Sequence, residues 1–154
     1  MTATDAFATC PGAELPALRL PAVTPELAAA FAGASGDTNP IHLDSEAARA
    51  AGLPGVIAHG MLTMALLGRL VTSWASQDRL RALRTSFVAP VPGGDAITCT
   101  GTVTDVTRTG DGDGDCRAVV RLVARRSDGR TVARGVAEVA VDPVPGEELP
   151  DAVA

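Results

Sequence analysis

The residues best placed to do chemistry lie between Ser35 and Met61. The run Ser35-Gly36-Asp37-Thr38-Asn39-Pro40-Ile41-His42, followed by His59-Gly60-Met61, holds both histidines of the chain. Imidazole is the side chain that gives and takes protons near neutrality. Asp37, five residues before His42 across an Asn-Pro bend, can be brought into the same small volume. Asn39 favours a side-chain-to-backbone turn and Pro40 fixes one dihedral, so the bend can be stiff without regular structure. A carboxylate and an imidazole on a stiff loop make an acid–base pair. The same residues would also suit an ordinary surface turn with His42 bonded to a neighbouring carbonyl. Gly60 favours the chemical reading, because it opens an apolar helix whose first N–H groups lack intrahelical partners and carry positive dipole character. Such a terminus suits a carbonyl oxygen that gains negative charge.

The elements around this stretch have to position it. The 154 residues make one domain with a real core, 1–154, with 1–14 and 143–154 expected to be flexible ends. All 13 cationic residues are arginine, and 18 acidic ones bring the charge to −5, which excludes a generic basic nucleic-acid binder. Residues 1–14 have neither a basic start nor an apolar stretch of signal length, so a cytoplasmic protein is expected. Cys10, Cys99 and Cys116 form no CxxC pair, which points to three small buried hydrophobes rather than to disulfides or a thiolate metal site. No metal or redox cofactor is called for. Asp111-Gly112-Asp113-Gly114-Asp115 hints at calcium, but Cys116 and Leu122 stand where an EF-hand needs Gly and Glu, so it reads as a hairpin loop.

Met61 to Trp74 is apolar nearly all round, the pattern of a helix surrounded by protein on most sides. At ~1.5 Å per residue it would be about 21 Å long, too short to span a membrane. Ala22 to Ala34 reads as a helix with Thr24 as N-cap and Pro25 in its first turn, and Asp44 as the cap of Ser45 to Ala51, ended by Gly52. Beyond Gln77 the period becomes two. Arg84 to Val91, Ile97 to Thr104, Ala118 to Arg126 and Thr131 to Val141 read as strands of a meander. Small residues Ala133, Gly135 and Ala137 would let a helix lie close. An α+β fold with an antiparallel sheet wrapped around one long central helix, the hot-dog architecture, buries both elements. Its bare sheet edge predicts a dimer.

Phe31 to His42, with Ala58-His59-Gly60-Met61 behind it, resembles the hydratase motif of MaoC-like (R)-specific enoyl-CoA hydratases. It is also similar to the related (3R)-hydroxyacyl-ACP dehydratases of type II fatty-acid synthesis. The resemblance covers Ala22 to about Val91 well and the later strands in pattern only. It implies a hydro-lyase that interconverts (3R)-3-hydroxyacyl and trans-2-enoyl thioesters, in fatty-acid or polyketide metabolism. Asp37 and His42 would hold the water that adds to or leaves C3. The Gly60 N–H would bind the thioester carbonyl, Asn39 and Pro40 would brace the loop, and His59 would orient it. Gly68 sits where some members carry a polar residue, which suggests a wider pocket floor.

The substrate would be an acyl group on acyl carrier protein or CoA, with Arg69, Arg79, Arg81 and Arg84 as candidates for its anionic groups. The second subunit would be an identical or another hot-dog chain. Neither nucleic acid nor membrane is expected as a partner. Two other activities fit the fold: an acyl-thioester hydrolase using Asp37 with Gly60, and a non-catalytic acyl-binding partner subunit.

Overall fold

A computed structural model of the chain describes residues 9–108 and 116–142. The Asp111–Asp115 run and residues 143–154 lie outside it. Five strands form one antiparallel sheet: β1 (Leu18–Leu20), β2 (Leu80–Phe87), β3 (Ile97–Arg108), β4 (Cys116–Arg126) and β5 (Thr131–Val141), in the order β1-β3-β4-β5-β2. The sheet wraps around α3 (Gly60–Trp74), which packs on β2, β3, β4 and β5. The fold is the hot-dog architecture.

Only β3, β4 and β5 run as a meander; β2 crosses over to pair with β5. It also sits earlier than its pattern suggested. The ladder ends at Phe87, after which the N–H groups of Val88 and Ala89 both turn to the Val132 carbonyl, and Pro90 has no N–H to continue pairing. β1 has three residues, too few to register as a period, and its partner is β3. Within the expected loose start, the chain is bonded to β3 from residue 12 on. Gly12 and Leu15 donate to Val103 and Gly101, and Val103 donates back to Ala13.

Alternation along the strands turns one face to α3. Val103, Ala118, Val120, Leu122, Ala137 and Val139 have no exposed surface, and Leu67, Leu70 and Val71 of α3 meet them equally dry. Gly135 is needed there. A Cβ at that position would lie 2.9 Å from the Arg84 carbonyl oxygen of β2 and 3.5 Å from Leu67, so a larger residue would push strand or helix away.

Three sequence expectations change. α3 is not enclosed on most sides: Met61, Ala65, Arg69 and Ser73 form an exposed stripe at four-residue spacing. Cys10 is exposed, while Cys99 and Cys116 are buried as expected. Gly68 faces Leu83 of β2, where a Cβ would sit 3.4 Å from that side chain, so it does not widen a pocket floor.

Candidate active site

The loop that carries Asp37 and His42 is built by a relay of local hydrogen bonds. α1 (Pro25–Ser35) begins at the expected cap, Thr24, whose Oγ1 accepts from the Leu27 N–H at 3.2 Å, with Pro25 as its first residue. It ends at Gly36, whose φ of 78° is left-handed backbone that glycine adopts without strain. The Asp37 N–H then donates to Ser35 Oγ, the Asn39 N–H to Asp37 Oδ1 (3.2 Å), and the Ile41 N–H to Asn39 Oδ1 (3.2 Å). Asn39 thereby caps a 3₁₀ turn, Pro40–His42, and Asp44 caps α2 (Ser45–Ala50) through the N–H groups of Glu46 and Ala47. Each of these short polar side chains fills the backbone vacancy left by its neighbour.

Residues 57–59 clamp this loop to the core. His42 Nδ1 donates to the Ile57 carbonyl at 2.7 Å, and the Ile57 N–H donates back to the Ile41 carbonyl. His59 Nε2 donates to the Asp37 carbonyl at 3.0 Å; in both rings the carbonyl partner assigns the hydrogen to the bonded nitrogen. The two imidazoles stack with centroids 4.1 Å apart, and Phe31 of α1 packs on His59 at 5.0 Å. His59 is fully buried and its Nδ1 has no partner among the described residues.

With Nδ1 committed, the bare nitrogen of His42 is Nε2, which faces Asp37 Oδ2 at 3.9 Å. That is too long for a hydrogen bond and close to the about 4 Å spanned by two bonds of ~2.8 Å meeting at a right angle on one oxygen. Both groups are acceptors, so a water between them gives each a hydrogen and keeps its oxygen lone pairs for a third atom. Asp37 is half exposed while His42 is 9% exposed, so the pair sits at the boundary of core and solvent.

His42 and Gly60 line one cleft of about 300 Å³ together with Thr63, Phe87, Val88 and Val132. Gly60 is the first residue of α3, where N–H groups have no carbonyl four residues back. A second cleft of about 360 Å³, lined mainly by Val23, Ala28, Leu43 and Val56, reaches His42 from its other side. Met61, Phe87 and Val88, at 53%, 52% and 56% exposure, leave apolar surface at the α3 terminus and the end of edge strand β2.

The four arginines are not assembled at this cleft. Arg79 pairs with Asp142 at 2.9 Å, Arg84 pairs with Glu138 at 2.9 Å, and Arg81 donates to the Asp78 carbonyl. Arg69 is exposed on α3 without an ion-pair partner among the described residues. Sequence reasoning overlooked the Ile57 carbonyl, whose role no side-chain type reveals. It also overlooked Thr63, a polar residue one turn into an apolar helix, which could have been noticed.

Asp37, His42 and His59 also form the only cluster of metal-ligating types among the described residues, with ligand atoms within 4.8 Å of one another. Each imidazole spends one nitrogen on a main-chain carbonyl, which leaves His42 Nε2 and His59 Nδ1 beside the Asp37 carboxylate.

A family model described as a MaoC like domain matches residues 7–123. The chain belongs to the MaoC-like family. This MaoC-like chain is 32% identical over 128 residues to the fatty acid synthase subunit beta of Saccharomyces cerevisiae, a match spanning 81% of the chain and 6% of that subunit. It is 34% identical over 96 residues to 3-hydroxyacyl-thioester dehydratase Z of Mycobacterium tuberculosis, covering 58% of the chain and 64% of the relative. Among solved structures, the (R)-hydratase from A. caviae involved in PHA biosynthesis is similar at TM-score 0.72 and 27% identity, over 87% of this chain and 97% of that one. The ChsH1-ChsH2 complex from Mycobacterium tuberculosis is similar at TM-score 0.74 and 27% identity, over 87% and 99%.

Proposed function

We propose that this MaoC-like chain is a hydro-lyase that adds water reversibly to trans-2-enoyl thioesters, giving (3R)-3-hydroxyacyl thioesters. The observation that carries the reading is the pair of acceptors, His42 Nε2 and Asp37 Oδ2, facing each other at 3.9 Å beside the first turn of α3. A water bridging them attacks C3. The C2=C3 electron pair moves onto the thioester carbonyl oxygen, which the Gly60 N–H stabilises. One of the pair takes the water's proton as the C3–OH bond forms and returns that proton to C2 as the enolate collapses. Dehydration runs the same steps backwards. Proton transfer by such groups is worth roughly 10²–10⁴-fold and one oxyanion donor roughly 10²–10³-fold.

The acyl group would ride on CoA or on acyl carrier protein. The relatives named as a fatty acid synthase subunit and a hydroxyacyl-thioester dehydratase support that substrate class, though the match spans only 6% of the synthase subunit. A second hot-dog subunit, identical or not, would cover β2 and the exposed Met61, Phe87 and Val88 beside the cleft. Hydrolysis of the thioester would leave His42 without a task. Incubation with crotonyl-CoA separates the two: loss of enoyl absorbance without free thiol is expected, whereas thiol release would overturn the assignment. Asp37→Asn keeps an oxygen for the Asn39 N–H but replaces one acceptor of the water with a donor. It should therefore remove most turnover and leave the melting temperature unchanged.

A further inference from the structure

The face of the sheet turned away from α3 gathers charge of one sign. Register places Thr102, Arg121, Val136 and Arg84 in one row across four strands, and Thr100, Val123, Arg134 and Ser86 in the next. Arg125 follows in a third row, with Arg19 of β1 beyond Thr98. These five arginines are all exposed. At ~4.8 Å per strand and ~3.3 Å per residue they occupy a patch of about 19 by 13 Å.

Among the described residues, the carboxylates of this face lie at its edge or beyond it. Glu14 is at the margin, opposite Thr102; Glu138 is one row away, bound to both Arg84 and Arg117; Asp105 lies opposite Val119. Arg19, Arg121 and Arg134 have no ion-pair partner among the described residues, and Arg125 bonds only to the neutral Gly129 carbonyl and Thr131 hydroxyl. The chain as a whole carries −5. Neighbouring like charges on a sheet cost stability, so folding alone does not call for this cluster. Two copies of the face would repel each other.

Val136, 39% exposed, and half-buried Val123 sit among the arginines. An apolar centre rimmed by arginine is the composition of a protein interface, and none of the residues in these rows is an aromatic on which a nucleic-acid base could stack. The patch also adjoins the cleft through the sheet. Ser86 and Arg134 face outward, while the next pair, Phe87 and Ala133, faces inward, and Phe87 and Val132 line the cleft.

We propose that this arginine face docks an acidic carrier protein, which delivers its thioester around the β2–β5 strand ends into the cleft. The inference rests on the thioester reading above and adds to it the partner and the place where it binds. The test uses the full chain with crotonyl thioesters of CoA and of acyl carrier protein, in wild type and in Arg121→Glu/Arg134→Glu. A milder Arg121→Gln/Arg134→Gln variant and thermal melts guard against misfolding.

The double charge reversal should lower kcat/KM for the carrier-bound substrate roughly tenfold or more through KM, leaving crotonyl-CoA turnover unchanged. Added salt should shrink the wild-type preference for the carrier. Equal loss on both substrates, no loss on either, or wild-type turnover of the CoA substrate without turnover of the carrier substrate would overturn the proposal. Binding of carrier protein lacking an acyl group, followed by NMR line broadening, is a turnover-free arm. It decides the docking even if neither thioester is hydrated, a result that would sink the hydro-lyase reading instead. Binding of RNA but not of the carrier at this face would also overturn it.

Discussion

His42 holds its loop to Ile57 and, in the function proposed above, also positions the reacting water, and one substitution can keep the first task while removing the second. In His42→Asn the amide nitrogen can stand where Nδ1 stands and still donate to the Ile57 carbonyl, a bond of 2.7 Å in the native chain. Nε2, the atom facing Asp37, is lost. Turnover of crotonyl-CoA should fall roughly 10²–10⁴-fold, or about 3–5 kcal/mol of barrier at ~1.36 kcal/mol per decade. Stability should fall only by the ring stack on His59, about 0.5–1.5 kcal/mol. His42→Ala removes the same catalytic atom and also strands the Ile57 carbonyl, a further ~1–3 kcal/mol. At ~2–4 °C per kcal/mol for a domain of this size, His42→Ala should melt about 2–12 °C below His42→Asn. A loop position would ordinarily tolerate either change, but His42 is 9% exposed and is therefore not an ordinary loop residue. Hydration rates and calorimetric melts on the two variants decide the matter. If His42→Asn keeps more than a tenth of the activity, Nε2 takes no part in the reaction; if the two variants melt together, the bond to Ile57 is not what holds the ring.

Three further outcomes are expected. Gly60→Pro should cut kcat roughly 10²–10³-fold with the helix content intact by circular dichroism, because Pro is accepted at the first position of a helix and removes only the N–H. His59, at φ −56° and ψ 131°, already has the backbone that a following proline requires. Asp95 is held below its ordinary value of 3.8 by the Ser127 hydroxyl first and then by Arg126 and the Ala96 N–H, against its burial. The unfolded chain therefore binds that proton more readily, so stability is present above pH ~4 and lost as pH falls; melts across that range should be flatter in Asp95→Asn. Burial pushes the Cys99 thiol up to about 11, so in native protein a thiol reagent at neutral pH should modify exposed Cys10 and spare Cys99 and Cys116, which react only in denaturant.

The site was legible in the sequence to the extent that its geometry is local. The caps Thr24 and Asp44, the turn at Asn39-Pro40 and the five-residue separation of Asp37 from His42 are all short-range, and each side chain acts on backbone within four residues. The end of β2 was misplaced because Val88, Ala89 and Val91 keep a strand-like composition while their partners are set by β5. The arginines from Arg79 to Arg84 are spread apart for a related reason. Residues close in sequence on a strand alternate between faces, and two of those arginines found acids, Asp142 and Glu138, more than fifty positions away.

Residue types and short-range bonding alone therefore determined the bend that carries Asp37 and His42, the apolar helix that begins at Gly60, and the alternating strands that wrap it. Tertiary structure decided which nitrogen of His42 is free, because that depends on the carbonyl of Ile57, fifteen residues along the chain. It decided that His59 is buried against His42 and Phe31 rather than presented to solvent, and that β2 leaves the sheet at Phe87 to line a cleft. It also gathered arginines from β1, β2, β4 and β5 onto one face. Strand register and main-chain acceptors belong to pairs of distant segments, and the composition of neither segment specifies them in advance.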